Sequence, residues 1–412
     1  MQETILHIGM HKTGTSSIQA SLKNFDDGTL RYAHLGHSNH SDLFMTVFSE
    51  NAEDYHVHKR RGLSSDEVEK LRKSMRSDLE REFQIDRQRL VISGEDISAL
   101  SKPAVKRLHA FLQDRTETVT VIAYVREPVS FVSSAFQGMV RGGRSSPDLP
   151  EPRYRYRFKK FLDLFGADRV HFVHFDKTKF SNGSVVSDFC ERIGIPAPRN
   201  LKDTENESLS EEATKLLFLF NRYGALSTGS PELMEARHKM VACLANALNG
   251  DKFVVPKPMI RQSLNLADID WMESVSGFKL KRNIESSDTA DTSFEEFIES
   301  VDHNTIQELK NLLNKRKIKY KDKDELSLLM SKLYYSFITK RILDDSDIDS
   351  LKSIASKIED KSKLDLNDAQ ILMKVAQKIR PNGPFIAQKI QEYQQKLQDK
   401  RPGFIRYLLR NR

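Results

Sequence analysis

The side chains best suited to chemistry lie close to the start of the chain. The apolar run Thr4–Gly9 leads into the segment Met10-His11-Lys12-Thr13-Gly14-Thr15-Ser16-Ser17, and a helical pattern begins at Thr15. A strand, a glycine-containing turn and a helix in this order point a row of backbone N–H groups at one spot, which suits a phosphate group. The segment is therefore predicted to bind phosphate; the alternative is a tight turn without a ligand.

The lysine of this segment is displaced from its position in nucleoside triphosphatases. Gly9 and Gly14 keep the GxxxxG spacing of those proteins, but the next two residues are Thr and Ser where Lys and then Ser or Thr are expected. Lys12 stands two residues before Gly14 instead. No acidic residue that would hold magnesium is evident from the sequence. This pattern disfavours a kinase-like phosphotransferase.

A second anion-binding motif is predicted about 110 residues further along. Arg126 directly follows the predicted strand Val119–Val125, and Pro128 favours a helix start just after it. Ser134 then lies about a turn and a half along that helix. One anionic group can be reached from both Arg126 and Ser134. The alternative for Arg126 is an ordinary ion pair at the end of a strand.

Together the two motifs resemble those of sulfotransferases that use 3′-phosphoadenosine 5′-phosphosulfate. In that family a loop like HKTGTSS binds the 5′-phosphosulfate, and an arginine at a strand end with a serine eight residues later binds the 3′-phosphate. The resemblance covers residues 1 to about 195, and more loosely the helices to about 285. It implies that the donor is bound, without a metal, by His11, Lys12, Thr13, Gly14, Thr15, Ser16, Ser17, Arg126 and Ser134.

The detailed character of the sequence looks most like bacterial members of this family, including those that act on polysaccharides. The relevant segments are HIGMHKTGTSS and GEDIS. The resemblance implies sulfuryl transfer to a hydroxyl of a carbohydrate, either a polysaccharide or a glycolipid. The RKG-type segment that contacts the nucleotide in cytosolic animal members is not found in this sequence. The alternatives are a P-loop kinase-like phosphotransferase and a non-catalytic nucleotide- or glycan-binding module.

Sulfuryl transfer needs a cation beside the leaving phosphate and a group that takes the hydroxyl proton. Lys12 is the candidate cation. Glu95 follows the predicted strand Arg89–Ser93, so it is expected at the same sheet edge as Lys12, with a helix cap as the alternative role. His40 lies near the position where heparan-type members carry their catalytic glutamate, and imidazole titrates near neutrality, but it could also be a surface histidine. The strand-end position slightly favours Glu95.

Basic and aromatic residues alternate around a predicted loop, Gly142–Pro152. Side chains of these types bind anionic or sugar-rich acceptors through ion pairs and stacking. The candidates for acceptor binding are Arg141, Arg144, Arg155 and Tyr156. The alternative is a solvated helix start whose apolar side faces the core. The cluster is isolated on a near-neutral body, so we expect no nucleic-acid partner.

Four strand-turn-helix units are predicted to position these residues. The strands are Thr4–Gly9, Arg89–Ser93, Val119–Val125 and Val170–Phe175, and the helices are Thr15–Lys23, Lys102–Gln113, Val129–Met139 and Val185–Ile193. This alternation predicts an α/β protein with a P-loop-like three-layer fold around a central, mainly parallel sheet, plus a helical C-terminal region.

Strand signals fade after about residue 206. Helices are predicted over Glu211–Tyr223, Pro231–Leu248, Phe294–Arg316, Asp324–Leu343, Asp347–Ile358, Asn367–Ile379 and Phe385–Gln398. The polar segment Ser286–Ser293 is the predicted linker. We therefore predict a sulfotransferase α/β domain over residues 1–290 and a helical region over 291–412, the latter a candidate for homodimer formation or acceptor binding.

Charge and composition limit the partners. The chain has 412 residues and a formal charge of +7, of which Gln395–Arg412 carries +5, so the body is not that of a whole-protein nucleic-acid binder. The apolar and arginine-rich segment 402–412 predicts peripheral contact with an anionic inner-membrane surface, or else docking on the protein itself. Two cysteines without metal-site spacing and a start without a signal-peptide pattern predict a cytoplasmic protein.

Overall fold

Five parallel strands form the sheet that carries the predicted site. The strands are β1 (Glu3–His7), β2 (Leu30–Tyr32), β3 (Arg89–Ser93), β4 (Thr118–Val125) and β5 (Val170–His174). Their order in the sheet is β2-β3-β1-β4-β5, and every neighbouring pair is parallel. At the carboxyl edge, His7 of β1 pairs with Ser93 of β3 and with Ile122 of β4. The loops that follow these three strands therefore open at one edge of the sheet.

The computed structural model describes residues 1–198, 208–224, 231–281, 284, 292–338, 349, 351–356, 366–379 and 383–399. Within these residues the helices are α1 (Thr15–Leu22), α2 (Ser41–Phe48), α3 (His56–Arg61), α4 (Ser65–Gln84), α5 (Lys102–Gln113), α6 (Pro128–Arg141), α7 (Tyr154–Phe165), α8 (Val185–Arg192), α9 (Glu211–Tyr223), α10 (Pro231–Ala247), α11 (Lys257–Ser263), α12 (Leu266–Ser276), α13 (Phe294–Glu299), α14 (His303–Lys315), α15 (Leu326–Tyr335), α16 (Leu366–Ile379) and α17 (Pro384–Asp399). None of the helices described here has both the length and the apolar character that a membrane span requires.

The sheet is buried on both faces. Ile5 and Leu6 are neighbours in β1 and point to opposite faces, yet both are at most 1 % exposed. On one face, Ile18 of α1 and Phe189 of α8 pack into a cluster with Ile5. Helices α5 and α7 pack against each other and against β4. This arrangement confirms the predicted α/β, P-loop-like three-layer fold.

Most predicted elements of the first half are present, but the region between β1 and β3 differs. The four predicted strands agree with β1, β3, β4 and β5 to within a residue or two. Strand β2 and helices α2 to α4 were not predicted, because 24–84 is rich in polar and charged residues. The predicted loop 142–152 contains neither helix nor strand after the end of α6.

The predicted single helix Phe294–Arg316 is wrong, because α13 and α14 are separate helices. The second begins at His303, directly after Asp302, whose carboxylate caps it by accepting the N–H of Thr305 at 2.7 Å. A cap of this kind favours a new helix start over continuation.

The chain divides into two compact units, Met1–Tyr334 and Tyr335–Arg412. The predicted boundary at 290/291 falls inside the first unit, where Phe294 of α13 packs edge-on against Phe136 of α6 with ring centres 4.9 Å apart. In the second unit, α16 and α17 pack through a small core that includes Met373, Ile390 and Tyr393. Most of the predicted linker 286–293 and the whole of the tail 402–412 lie outside the described residues.

Candidate active site

The predicted phosphate loop joins β1 to α1 and contains three residues with positive φ. These are Gly9 at 40°, Lys12 at 68° and Gly14 at 74°. A Cβ at Gly14 would lie 2.6 Å from the Val185 side chain, so the backbone angle and the packing both require glycine there. The hydroxyl of Thr13 donates to the carbonyl of Met10 at 2.6 Å and holds the turn from inside.

The N-terminus of α1 is open. In the described part of the chain, no side chain caps it, and Gly14 occupies the N-cap position. The first N–H groups of a helix have no acceptor within the helix, and they carry its positive dipole end. Ser16 is exposed beside them, whereas the side chains of Thr15 and Ser17 are buried. This helix start can therefore receive an anion through backbone N–H groups and the Ser16 hydroxyl.

The Lys12 side chain lies along α6. Its Nζ atom is 2.5 Å from the position that a Cβ would take at Gly138. Burial of the ammonium group lowers the pKa of Lys12, the charges of Arg141 and Arg126 lower it further, and Glu95 opposes them. Three cations thus gather at one point, which favours a bound anion. The sequence did not indicate Gly138, since the contact joins residues 126 positions apart.

Arg126 connects the two predicted motifs. Its Nη1 donates to the carbonyl of Lys12 at 2.6 Å, and its Nε donates to the hydroxyl of Ser130 at 2.7 Å. Its own carbonyl accepts the hydroxyl of Tyr154 at 2.6 Å. Ser134 is half-buried one helical turn beyond Ser130, on the same face of α6. The sequence predicted Arg126 and Ser134 but missed Ser130, which is four residues from each of them.

Glu95 lies at the sheet edge that the sequence predicts. It begins the 3-10 turn Glu95–Ala99 directly after β3, and its Cβ is 3.8 Å from the Cβ position of Gly9. Its two carboxylate oxygens accept long hydrogen bonds of 3.3 Å, one from the amide of Gln19 and one from the amide of Asn39. Gln19 is buried in α1 and was not predicted to contribute. These amides orient the carboxylate beside the phosphate loop.

His40 is enclosed in the fold. It is 1 % exposed, its Nδ1 accepts the N–H of Ser93 at 3.1 Å, and its Nε2 lies 3.1 Å from the carbonyl of Ala33. Because the Ser93 N–H can only donate, the other ring nitrogen carries the proton and donates to Ala33. Burial lowers the pKa of His40 to about 3. Both nitrogens bind backbone groups, which argues against His40 as a proton acceptor for a substrate.

His11 pairs with Asp96 across the site. The His11 Nε2 atom is 2.9 Å from the Asp96 Oδ1 atom, and the hydroxyl of Tyr55 donates to Asp96 Oδ2 at 2.7 Å. The sequence placed His11 with the donor loop and did not predict this pair. A signal for it exists in the register, because His7 and Ser93 are paired strand ends and these two residues follow them by four and three positions.

Helix α7 holds the turn that carries Glu95 and Asp96. The Nζ of Lys160 donates to the carbonyl of Ser98 at 2.8 Å, and Nη1 of Arg157 donates to the Ser98 hydroxyl at 3.0 Å. Burial first, and then the charges of Arg157 and Arg153, lower the pKa of Lys160 to about 7. These basic residues support the turn rather than facing solvent.

The four predicted acceptor-binding residues have different surroundings. Arg141 lies close enough to Lys12 to lower its pKa. Tyr156 is 48 % exposed, donates to the carbonyl of Ala99 at 3.2 Å and has Arg153 and Lys160 over its ring. In contrast, Arg144 donates to the carbonyl of Ser146 within its own loop, and Arg155 is exposed at the start of α7. Arg141 and Tyr156 are thus the two that contact or influence residues of the site.

No group of three or more His, Cys, Asp or Glu side chains within the described ranges could hold a metal ion.

Searches of protein-family models and of curated proteins find no match to this chain. Among solved structures, a sulfotransferase from Alicyclobacillus acidocaldarius is similar, with 18% identity and a TM-score of 0.33 over 54% of this chain and 93% of that chain. A similarity at that TM-score carries no functional weight, so function must be inferred from the residues of this chain.

Proposed function

We propose that this protein is a sulfotransferase. It would move a sulfuryl group from 3′-phosphoadenosine 5′-phosphosulfate to a hydroxyl of a carbohydrate, in a polysaccharide or a glycolipid. The observation that supports this most is the hydrogen bond from Arg126 to the carbonyl of Lys12, at 2.6 Å. That bond joins the two predicted anion-binding motifs into one site, and the donor has an anionic group at each of two positions.

The residues fit such a donor. The open start of α1, with Ser16 and the Lys12 ammonium, would hold the 5′-phosphosulfate. Arg126, together with the hydroxyls of Ser130 and Ser134, would hold the 3′-phosphate by charge-assisted hydrogen bonds. Ser134 is half-buried and lies on the same face of α6 as Ser130.

Sulfuryl transfer requires a cation beside the leaving phosphate and a group that accepts the hydroxyl proton. In the transfer, a bond forms between the acceptor oxygen and sulfur while the bond from sulfur to the 5′-phosphate oxygen breaks, and the electron pair stays on that oxygen. Lys12 would stabilise this developing charge, and Arg141 would add to the positive potential. The proposed transfer requires no metal.

The hydroxyl proton must leave toward a base. Of the two bases that the sequence predicts, Glu95 has its carboxylate beside the phosphate loop, whereas both nitrogens of His40 bind backbone groups. Geometry therefore argues against the buried His40 as the base and directs attention to the side chains where the end of β3 meets the phosphate loop.

The test is transfer of labelled sulfate. The full chain would be incubated with radiolabelled donor, EDTA and a panel of neutral and uronate-containing oligosaccharides, and release of adenosine 3′,5′-bisphosphate would be followed. We expect release that depends on the oligosaccharide and not on magnesium. Lys12→Ala is the matched variant that should bind the bisphosphate but turn over poorly.

Two results would overturn the proposal. Turnover of ATP that requires magnesium would assign the protein to kinase-like phosphotransferases instead. Tight bisphosphate binding without transfer to any member of the panel would make it a binding module.

A further inference from the structure

His11 and Asp96 form an ion pair where the phosphate loop meets the end of β3. The pair distance is 2.9 Å, and the two side chains are 39% and 16% exposed. His11 is therefore partly exposed to solvent, whereas His40 is buried inside the fold. His11 directly precedes Lys12 in the phosphate loop, the residue proposed to stabilise the leaving phosphate.

Asp96 is built to remain a carboxylate. Burial would raise its pKa, but the hydrogen bond and the charge of His11 and the hydrogen bond from Tyr55 lower it on balance. Its backbone N–H also donates to the Ser41 hydroxyl at 3.1 Å, which fixes the turn. A carboxylate held in this way stabilises a positive charge on the imidazole that it contacts.

The partner of Nε2 determines the state of the other ring nitrogen. Because the Asp96 carboxylate only accepts, Nε2 of a neutral His11 carries the proton, and Nδ1 has a free lone pair. No hydrogen bond joins Nδ1 to any side chain or backbone group in the described part of the chain. An imidazole oriented by a carboxylate, with its second nitrogen free, is the arrangement by which enzymes take a proton from a hydroxyl.

We infer that Nδ1 of His11, held by Asp96, accepts the proton of the acceptor hydroxyl. This inference rests on the proposed sulfotransferase function. The O–H bond of the acceptor breaks and its proton goes to Nδ1, the oxygen bonds to sulfur, and the 5′-phosphate leaves beside Lys12. Glu95 then has a different role: its negative charge stabilises the Lys12 ammonium and raises the pKa of that group.

Several charged groups surround the pair and enter its pH dependence. His56 of α3 and Arg157 of α7 interact with Asp96 through their charges, and Tyr55 bonds to it. Lys12 and Glu95 are the sequence neighbours of the two residues, in the phosphate loop and the 3-10 turn. Asp96 is the carboxylate that contacts the His11 imidazole, so the Asp96 variant is essential to the test.

The first experiment measures kcat against pH for the full chain in the forward transfer. We expect His11→Gln to lower kcat by about 10²–10⁴-fold and to remove the acidic limb of the profile, with bisphosphate affinity unchanged. Asp96→Asn should move that limb to lower pH. His37→Gln changes an exposed histidine outside the site and should match the unmodified protein.

The second experiment separates proton transfer from structure. In the reverse direction, adenosine 3′,5′-bisphosphate takes the sulfuryl group from 4-nitrophenyl sulfate, whose phenolate leaves without needing a proton. His11→Gln should keep most of this rate, and added imidazole should restore part of the forward rate of His11→Ala. Equal losses in both directions would mean a structural role for His11 and would overturn the inference.

Two further outcomes distinguish the inference from the function on which it rests. If Glu95→Gln loses the forward rate while His11→Gln keeps it, Glu95 is the proton acceptor and the inference is wrong, although the sulfotransferase proposal stands. If the unmodified protein transfers no sulfuryl group in either direction, the proposed function itself fails.

Discussion

The helices α1 and α6 both begin at the candidate site, and their first turns are built differently. Gly14 leaves the start of α1 without a side-chain cap in the part of the chain described, whereas Glu127 caps α6 and accepts the N–H groups of Ser130 at 2.7 Å and Val129 at 3.3 Å. Because the carboxylate already occupies those donors, an anion near α6 must bind side chains instead.

This difference separates two kinds of anion site. At α1 the backbone N–H groups and the Lys12 ammonium supply the positive charge, and no side chain of the described residues caps the helix start. At α6 the anion would be bound by the Arg126 side chain, which also stabilises the phosphate loop by donating to the carbonyl of Lys12. Substitutions at the first site should therefore alter turnover, and substitutions at the second should alter nucleotide recognition.

Among substitutions that compare the two helix starts, the largest effect is expected at Lys12. Lys12→Ala should lower kcat for sulfuryl transfer by about 10²–10³-fold, because the charge that develops on the leaving phosphate loses its cation. The ammonium group is desolvated and repelled by Arg126 and Arg141, so its removal should leave the melting temperature unchanged or higher. Steady-state kinetics with a thermal melt of the same sample checks this. A loss of nucleotide discrimination with kcat intact would reverse the roles of the two helix starts.

His40→Ala should change stability instead of chemistry. It leaves the Ser93 N–H and the Ala33 carbonyl unpaired in the core, and we expect the free energy of unfolding to fall by about 2–4 kcal/mol. Urea unfolding measures this, with His37→Ala as the exposed control. A rate loss of 10²-fold or more in fully folded His40→Ala would contradict the structural role.

The burial of His40 predicts that the free energy of unfolding depends on pH. Burial lowers the folded-state pKa of His40 to about 3, below the unfolded value near 6.5, so the unfolded chain binds the proton first. The stability is complete above pH 6.5 and falls as the pH drops toward 3, by up to about 1.4 kcal/mol per pH unit for this group. Urea midpoints between pH 7 and pH 4 should show a shallower slope for His40→Ala.

Gly138→Ala tests the position of the Lys12 ammonium without removing its charge. The new methyl group would lie 2.5 Å from the present Nζ position, so the flexible side chain must move away from α6. We expect kcat to fall by about tenfold, with stability unchanged or higher because alanine favours a helix. The outcome that would contradict this is an unchanged kcat, since Lys12 would then act from another position.

Glu127→Gln should have the smallest effect on stability and binding, and it tests only the anion site at the start of α6. Removing the cap charge weakens the start of α6 by up to about 1 kcal/mol. It also removes a negative charge that acts on Arg126, so binding of the bisphosphate should be equal or tighter. Calorimetry checks this, and clearly weaker binding would mean that Glu127 itself faces the ligand.

Local sequence predicted the parts of the site that lie next to strand ends. The phosphate loop and Arg126 follow apolar runs whose length and turn residues indicate their positions. In contrast, the burial of His40 could not be predicted, because a polar segment around it gives no local sign that α2 packs its start against the end of β3.

Long-range contacts account for the rest of what was missed. Gly138 leaves room for Lys12, and Asp96 orients His11, but each pair joins residues more than 80 positions apart. The helix predicted over 294–316 failed for a local reason, the cap at Asp302, which the continuous helical pattern concealed. Sheet register is the one long-range rule that would have indicated the His11 and Asp96 pair.

The most direct test of the two-site donor is a calorimetric comparison of adenosine 3′,5′-bisphosphate with AMP, on the unmodified chain and on Arg126→Ala. We predict that the bisphosphate binds more tightly than AMP by about 1.5–3 kcal/mol, the size of a charge-assisted pair, and that Arg126→Ala abolishes the difference. Equal affinities of the two nucleotides for the unmodified chain would contradict the assignment of a 3′-phosphate site at Arg126, and with it the proposed donor.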